Sequence, residues 1–186
     1  MRFMILGLLM LFAAPAHAGE LSAVRTQAPQ FSLQMLNGDT FDFSSTKGKV
    51  VVVSFWASWC KPCIQELGFL KKIQAKHPNK LAVLAIATDD PNTISKVRMV
   101  VKNKKLTMPI LLDQDGTVMG LLNPRGSLPF SVYVDKKGQV ASEHDGFASG
   151  DEANLEKVIA ALLAEGSTAA KPQPAAAPAP KTPATK

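Results

Sequence analysis

Val50 to Phe55 reads Val-Val-Val-Val-Ser-Phe, a largely β-branched run with no regular polar alternation, and a helical pattern begins a few residues later at Lys61. A strand of that kind is covered on both faces, so it belongs inside a sheet. Lys61 to Lys76 places Ile64, Leu67, Leu70, Lys71 and Ile73 at helical spacing, and His77-Pro78 ends the helix. A buried strand that hands over to a helix restricts the chain to an α/β architecture in which helices shield both faces of a sheet.

The remaining pattern fills in that architecture. Phe31 to Leu36 and Thr40 to Phe43 flank Asn37-Gly38-Asp39 and predict a short N-terminal hairpin. Leu81 to Ala87 predicts a second buried strand. Asn92 or Thr93 can cap a helix running to about Lys104, with Ile94, Val97, Val100 and Val101 on one face. After Pro109 come a short apolar run, Ile110 to Leu112, and a helical turn near Val118 to Leu122. Phe130 to Val134 and Val140 to His144, joined through Lys136-Lys137-Gly138, predict a second hairpin, and Asp151 opens a last helix that ends by Glu165. The expected fold is a central mixed β-sheet flanked by helices on both faces, with an N-terminal β-hairpin extension.

The two ends of the chain read differently from its middle. Met1 to Ala18 carries an early Arg2, an apolar run from Phe3 to Ala14, and small residues at Ala16 and Ala18, the pattern of a secretory signal peptide cleaved after Ala18. The apolar run is shorter than the roughly 20 residues of a spanning helix, which counts against a retained anchor. No cysteine follows the cleavage site to carry a lipid. From Gly166 to Lys186 the chain is rich in Ala, Pro and Lys and has almost nothing bulky to bury, so a disordered tail is expected, either a passive extension or a tether. Residues 19–165 are then the folded domain.

The formal charge of +6 raises nucleic acid or an anionic membrane as a partner. Of the 21 basic residues, however, Arg2, Lys171, Lys181 and Lys186 lie outside the domain, which leaves 17 basic against 15 acidic residues within it. A nearly neutral domain lacks the basic stripe that nucleic acid requires. No nucleic-acid partner is expected.

Export gives the chain's only cysteines, Cys60 and Cys63, a compartment that permits disulfides. They enclose so short a loop that a stabilising staple is a poor explanation for them. Cys60 stands where the strand hands over to the helix, and there the unpaired N–H groups and the helix dipole favour an anion, which lowers the thiol pKa and makes Cys60 the nucleophile. Cys63, one turn later, can reach Cys60 and resolve a mixed disulfide. Pro62 fits the first helical turn, where a missing N–H costs little. Zinc would need four ligands, and only His77 and His144 remain as imidazoles in the domain, neither in a second paired spacing. No metal and no cofactor are expected, and neither histidine is assigned chemistry.

The run VVVSFWASWCKPCIQEL resembles the active-site strand and helix of thioredoxins, and in particular the periplasmic TlpA/ResA-like branch. The similarity extends from about Ala28 to Ala164, because APQFSLQMLNGDTFDFSSTKGKVVVV resembles the N-terminal hairpin of that branch and of related peroxide-reducing proteins. SLPFSVYVDKKGQV resembles the stretch that holds a cis-proline, which falls at Pro129. The resemblance implies that Pro129 packs beside the cysteine pair, that Leu128 offers backbone groups to an extended substrate, and that Trp59 shapes the substrate surface. Trp56 is either part of that surface or core. The resemblance also implies a role for Glu66, which would accept or relay a proton when Cys63 ionises. The other reading of Glu66 is a solvated glutamate early in a helix. Ser54 occupies the place of the buried aspartate in cytosolic thioredoxins, which leaves Glu66 as the carboxylate for that task. Lys61 either tunes Cys60 by its charge or is solvent-exposed filler.

The resemblance implies a monomeric reductant of protein disulfides, since no histidine precedes the second cysteine as it does in oxidising Dsb-type sites. Its clients would be cell-envelope thiols, such as those of apocytochrome c or a copper-site assembly protein, and a membrane electron donor of the DsbD/CcdA kind would recharge it. Two alternatives stand beside this. A peroxiredoxin-like peroxidase would need an activating Pro and Thr where this chain has Ala57-Ser58-Trp59, and a Sco-like copper metallochaperone would need CxxxC with a distal histidine.

Overall fold

The computed structural model describes residues 21–165. The expected signal peptide at 1–18 and the expected tail at 166–186 lie outside the described residues. Eight strands form one sheet: β1 (Thr26–Gln27), β2 (Ser32–Met35), β3 (Thr40–Asp42), β4 (Val50–Trp56), β5 (Leu81–Ala87), β6 (Ile110–Leu112), β7 (Phe130–Val134) and β8 (Gln139–Asp145). Their order across the sheet is β1-β8-β7-β4-β5-β6-β2-β3. Strands β4, β5 and β6 run parallel, whereas β7 and β8 turn back antiparallel on one side and the β2–β3 hairpin joins antiparallel to β6 on the other. Four helices complete the domain: α1 (Lys61–Lys76), α2 (Ile94–Lys104), α3 (Thr117–Leu122) and α4 (Asp151–Ala164).

Strand β4 is the axis, and all seven of its residues are buried. Successive side chains point to opposite faces. Val50, Val52 and Trp56 therefore meet Leu67, Leu70 and Ile73 of α1, Val97 of α2, and Leu155 and Ile159 of α4. Val51, Val53 and Phe55 face the other way, toward Val118 and Leu122 of α3 and toward Phe43. Ser54, the one polar residue of β4, stands on the first of these faces beneath α1.

The sequence misjudged some details. Phe43 does not extend the first hairpin but enters a 3₁₀ turn, Phe43–Thr46, capped by Asp42, and its ring stacks on Phe31 with centroids 4.9 Å apart. Thr93, one of the two expected caps, does occupy the N-cap of α2, but its side chain makes no capping hydrogen bond. Asp90 instead accepts from the Asn92 N–H and caps a short 3₁₀ turn, Pro91–Thr93, that leads into the helix. Strand β1 went unanticipated, because two exposed residues carry no pattern. Its neighbour Arg25 donates to Asp135 at 2.8 Å and to both carboxylate oxygens of Glu165 at 2.7 Å, tying the start of the domain to its end. Among the described residues, no helix is long and apolar enough to cross a membrane.

Candidate active site

Cys60 ends the loop that leaves β4 and forms the N-cap of α1, its sulfur accepting from the Cys63 N–H at 3.3 Å. Pro62 occupies the first turn, where its missing N–H leaves no helical bond unmade. The two cysteines form a disulfide. Cys60 is 5% exposed and Cys63 not at all, so a client reaches only the first sulfur. Lys61 is exposed beside them.

The turn before Cys60 is held from behind. Asp89, buried at the end of β5, accepts from the Ser58 N–H at 2.9 Å and from the Ser58 hydroxyl. The Cys60 N–H donates to Ala57 O at 3.0 Å, which closes the turn. This clamp presents Trp59 outward, 73% exposed, whereas Trp56 is wholly buried and belongs to the core. The Leu128–Pro129 peptide is cis, as the sequence led us to expect. Register pairs Phe55 with Phe130, so Pro129 stands one step further on, level with Trp56 and the start of the cysteine loop. Leu128 is half-buried against both cores.

Glu66 is the residue for which the structure decides most. Helix α1 buries Cys63, Glu66, Leu67, Leu70 and Ile73 along one stripe, and Glu66 is fully inaccessible there. This rules out the reading of Glu66 as a solvated surface residue. Ser131 Oγ donates to Oε1 at 2.7 Å and Ser54 Oγ donates to Oε2 at 3.1 Å. These two serines are neighbours across the β4–β7 pair and form a small polar slot in an otherwise apolar layer. Burial raises the Glu66 pKa from 4.5 to about 7; the serine hydrogen bonds pull against that rise, and the nearby charge of Asp151 adds to it. Tyr133, buried on the same face with no hydrogen bond to its hydroxyl, is pushed well above its ordinary pKa, first by burial and then by Glu66. Sequence reasoning named Glu66 but missed Ser131, Asp89 and Tyr133. Ser131 left a faint trace as the one small polar residue in Phe-Ser-Val-Tyr-Val, whereas Asp89 left none.

A two-cysteine disulfide at the head of the helix that follows the central strand, in a sheet of this topology, defines a thiol–disulfide oxidoreductase of the thioredoxin-like class. The chain belongs to the Redoxin family, whose model matches residues 23–159. It is 39% identical over 121 residues to the thioredoxin-like protein YneN of Bacillus subtilis, a match covering 64% of this chain and 70% of that protein. It is 33% identical over 117 residues to the thiol-disulfide oxidoreductase ResA of Bacillus cereus, covering 63% of this chain and 66% of that one, slightly under two thirds of its length. A crystal structure from Chlorobium tepidum, provisionally named as the thiol:disulfide interchange protein DsbE, superimposes with a TM-score of 0.68 at 28% identity over 80% of this chain and 99% of that one.

Proposed function

We propose that this oxidoreductase is an exported, monomeric reductant of protein disulfides in the cell envelope, acting through Cys60 and Cys63. The observation that carries the reading is a carboxyl sealed in the core one helical turn beyond a fully shielded cysteine, in a site whose accessible sulfur caps a helix.

In the reduced protein the Cys60 thiolate attacks a client disulfide. One client sulfur bonds to Cys60, and the other leaves as a thiolate that takes a proton from water. Cys63 then gives its proton to Glu66 and attacks the Cys60 sulfur. The mixed disulfide breaks, the second client sulfur departs as a thiolate, and Cys60–Cys63 remains oxidised, so two electrons have passed to the client. Trp59, Pro62, Leu128 and Pro129 form the surface on which an extended client segment lies. Residues 1–18 direct export. A membrane donor of the DsbD/CcdA kind returns the pair to the dithiol, and apocytochrome c or a metal-site assembly protein is the kind of client that fits. The names of the ResA and DsbE relatives, a thiol-disulfide oxidoreductase and a thiol:disulfide interchange protein, support thiol–disulfide exchange over peroxide reduction or copper carriage.

Cys63→Ser tests the reading, because it holds Cys60 in a mixed disulfide with its client, which can be recovered from cell-envelope extracts and identified. Capture of nothing but low-molecular-weight thiols would refute a protein client. Glu66→Gln should slow decay of the mixed disulfide by about 10- to 100-fold near neutral pH while sparing the first attack. A decay rate unchanged from about pH 5 to about pH 9 would remove Glu66 from the mechanism.

A further inference from the structure

Counted over the whole domain, basic and acidic residues nearly balance, but the fold sorts them to opposite ends. The end away from the disulfide is where β4 and β5 begin. There the Val50 N–H donates to Lys80 O at 2.9 Å, which sets Lys49 and Lys80 side by side at the feet of two parallel strands. The register of Val51 with Val134 brings the β7–β8 turn, with Lys137, to the same level, and Lys47 stands just before Lys49. Helix α1 finishes here with Lys72 and Lys76. The last turn of α2 is held against it by Lys71, whose ammonium donates to Lys104 O at 3.0 Å and to Lys105 O at 3.3 Å. Lys102, Lys104 and Lys105 thereby join the group.

Few carboxylates answer this charge. Asp135 and Glu165 lie at the same end but are both held by Arg25, and Glu156 is held by Lys76. Asp39 stands apart, on the β2–β3 turn at the edge of the sheet. Among the described residues, Lys47, Lys49, Lys72, Lys80, Lys137 and the three lysines closing α2 form no ion pair. The carboxylates gather instead at the disulfide end, where Asp89 and Asp90 follow β5, Asp113 and Asp115 follow β6, and Asp151 opens α4. The chain also leaves the domain at the basic end, and residues 166–186 add Lys171, Lys181 and Lys186 with no acidic side chain.

A cavity of about 290 Å³ opens among these lysines, close to the lower end of the ~300–1,000 Å³ usual for small-molecule sites. The buried Phe43, Val51 and Val134 give it an apolar floor, and the more exposed Lys47, Lys49 and Lys137 line its sides. Asp135 also lines it, with its charge already met by Arg25. Such a cavity suits an amphiphile, whose phosphate meets the ammonium groups while its carbon skeleton meets the floor.

We propose that this end of the domain docks on a bilayer of anionic phospholipid, with the cavity receiving one headgroup. Lysine is a compact, strongly hydrated point charge, suited to a diffuse anionic surface, whereas planar two-point recognition belongs to arginine. The arginine at this end, Arg25, is already committed to two carboxylates. Single-stranded nucleic acid would need exposed aromatic rings to stack on, and the exposed tryptophan, Trp59, is at the opposite end. The choice of a lipid surface rests on the reading of the chain as exported, since that is the polyanion an exported protein meets. Docked in this way, the domain holds Cys60 on its far side, toward the aqueous phase.

The test is flotation of the chain from Gly19 to Lys186 with vesicles of phosphatidylglycerol and phosphatidylcholine. Residues 1–18 are omitted because their apolar run enters any bilayer. The protein should float with these vesicles at about 50 mM salt, be released at about 500 mM, and ignore vesicles of phosphatidylcholine alone. Lys47→Gln/Lys49→Gln/Lys137→Gln, which strips the cavity, should weaken binding by at least about 30-fold, and Lys72→Gln/Lys102→Gln/Lys104→Gln by at least about 10-fold. The control Lys61→Gln/Lys96→Gln/Arg125→Gln removes as much charge toward the disulfide end and should weaken binding less than about 3-fold. Near-ultraviolet circular dichroism checks folding, and either basic-end variant serves if the other fails to fold. Trp59 reports the orientation, because its emission should not shift when the protein binds. Failure to float with anionic vesicles, equal binding to neutral ones, equal loss in the basic-end and control variants, or a blue shift of Trp59 would each overturn the proposal. Because binding is measured on isolated vesicles, any of these results leaves export and the dithiol chemistry standing.

Discussion

Replacing Glu66 by Gln tests the burial of the carboxyl through stability alone, with no client and no turnover. In the unfolded chain the carboxyl titrates near 4.5, and in the folded protein near 7. Between those values the native state holds a proton that the unfolded state has released, so stability falls as pH rises through this window. At about 1.4 kcal/mol per pH unit, the loss attributable to Glu66 comes to about 3 kcal/mol. The contribution of Glu66 is greatest below pH 4.5, and its loss is complete once pH has passed through about 7. Gln cannot titrate, and its amide oxygen can still accept from one of the two serines while its NH2 donates to the hydroxyl oxygen of the other. Relative to wild type, the Glu66→Gln protein should therefore gain about 3 kcal/mol between acidic and mildly alkaline conditions. For a domain of this size the relative melting temperature should climb by about 10 °C over the same range. Guanidinium unfolding of the oxidised proteins at a series of pH values measures this directly. A difference that stays constant within about 0.5 kcal/mol from acid to alkaline pH would show that the carboxyl ionises in the core as readily as in water.

Ser131→Ala removes the shorter of the two hydrogen bonds to the Glu66 carboxylate, so the inflection of the resolution profile should move up by about 1 pH unit, and Ser54→Ala, at the longer contact, should move it less. Asp89→Ala strands the Ser58 N–H behind the cysteine turn and should cost about 1–3 kcal/mol in urea unfolding, whereas Asp89→Asn, which keeps an acceptor, should cost less than half of that. Deleting Gly166 to Lys186 should leave the melting temperature and dithiol activity within error of the full chain, as judged by thermal unfolding and insulin reduction, because that segment offers little to bury.

The parts of this protein legible in its sequence are those written locally. Four valines in a row announce a strand covered on both faces, and the cysteine pair immediately before a helical pattern fixes which end of that strand carries chemistry. What the sequence hid depends on distance along the chain. Helical spacing can place Glu66 and Cys63 on one side of α1, but whether that side is roofed depends on β4 and α4, which arrive 12 residues earlier and some 85 residues later. Ser131 lies 65 residues from Glu66, and Asp89 lies 31 from Ser58. No periodicity links such pairs, because only the crossing of strands brings them together. His144, set aside on the sequence as lacking a constellation, gains one only through its register with Ser131 and its approach to the first turn of α4.

Helix α4 begins at Asp151, near Glu66, and ends where Arg25 grips Glu165 beside Asp135. Its 14 residues span about 20 Å, so the chain leaves the domain far from the sulfur of Cys60. Coupling to a sensor chip or an electrode through a residue at that end, such as Glu165, would therefore leave the disulfide facing away from the support, whereas coupling through Lys61 would bury the reactive edge against it.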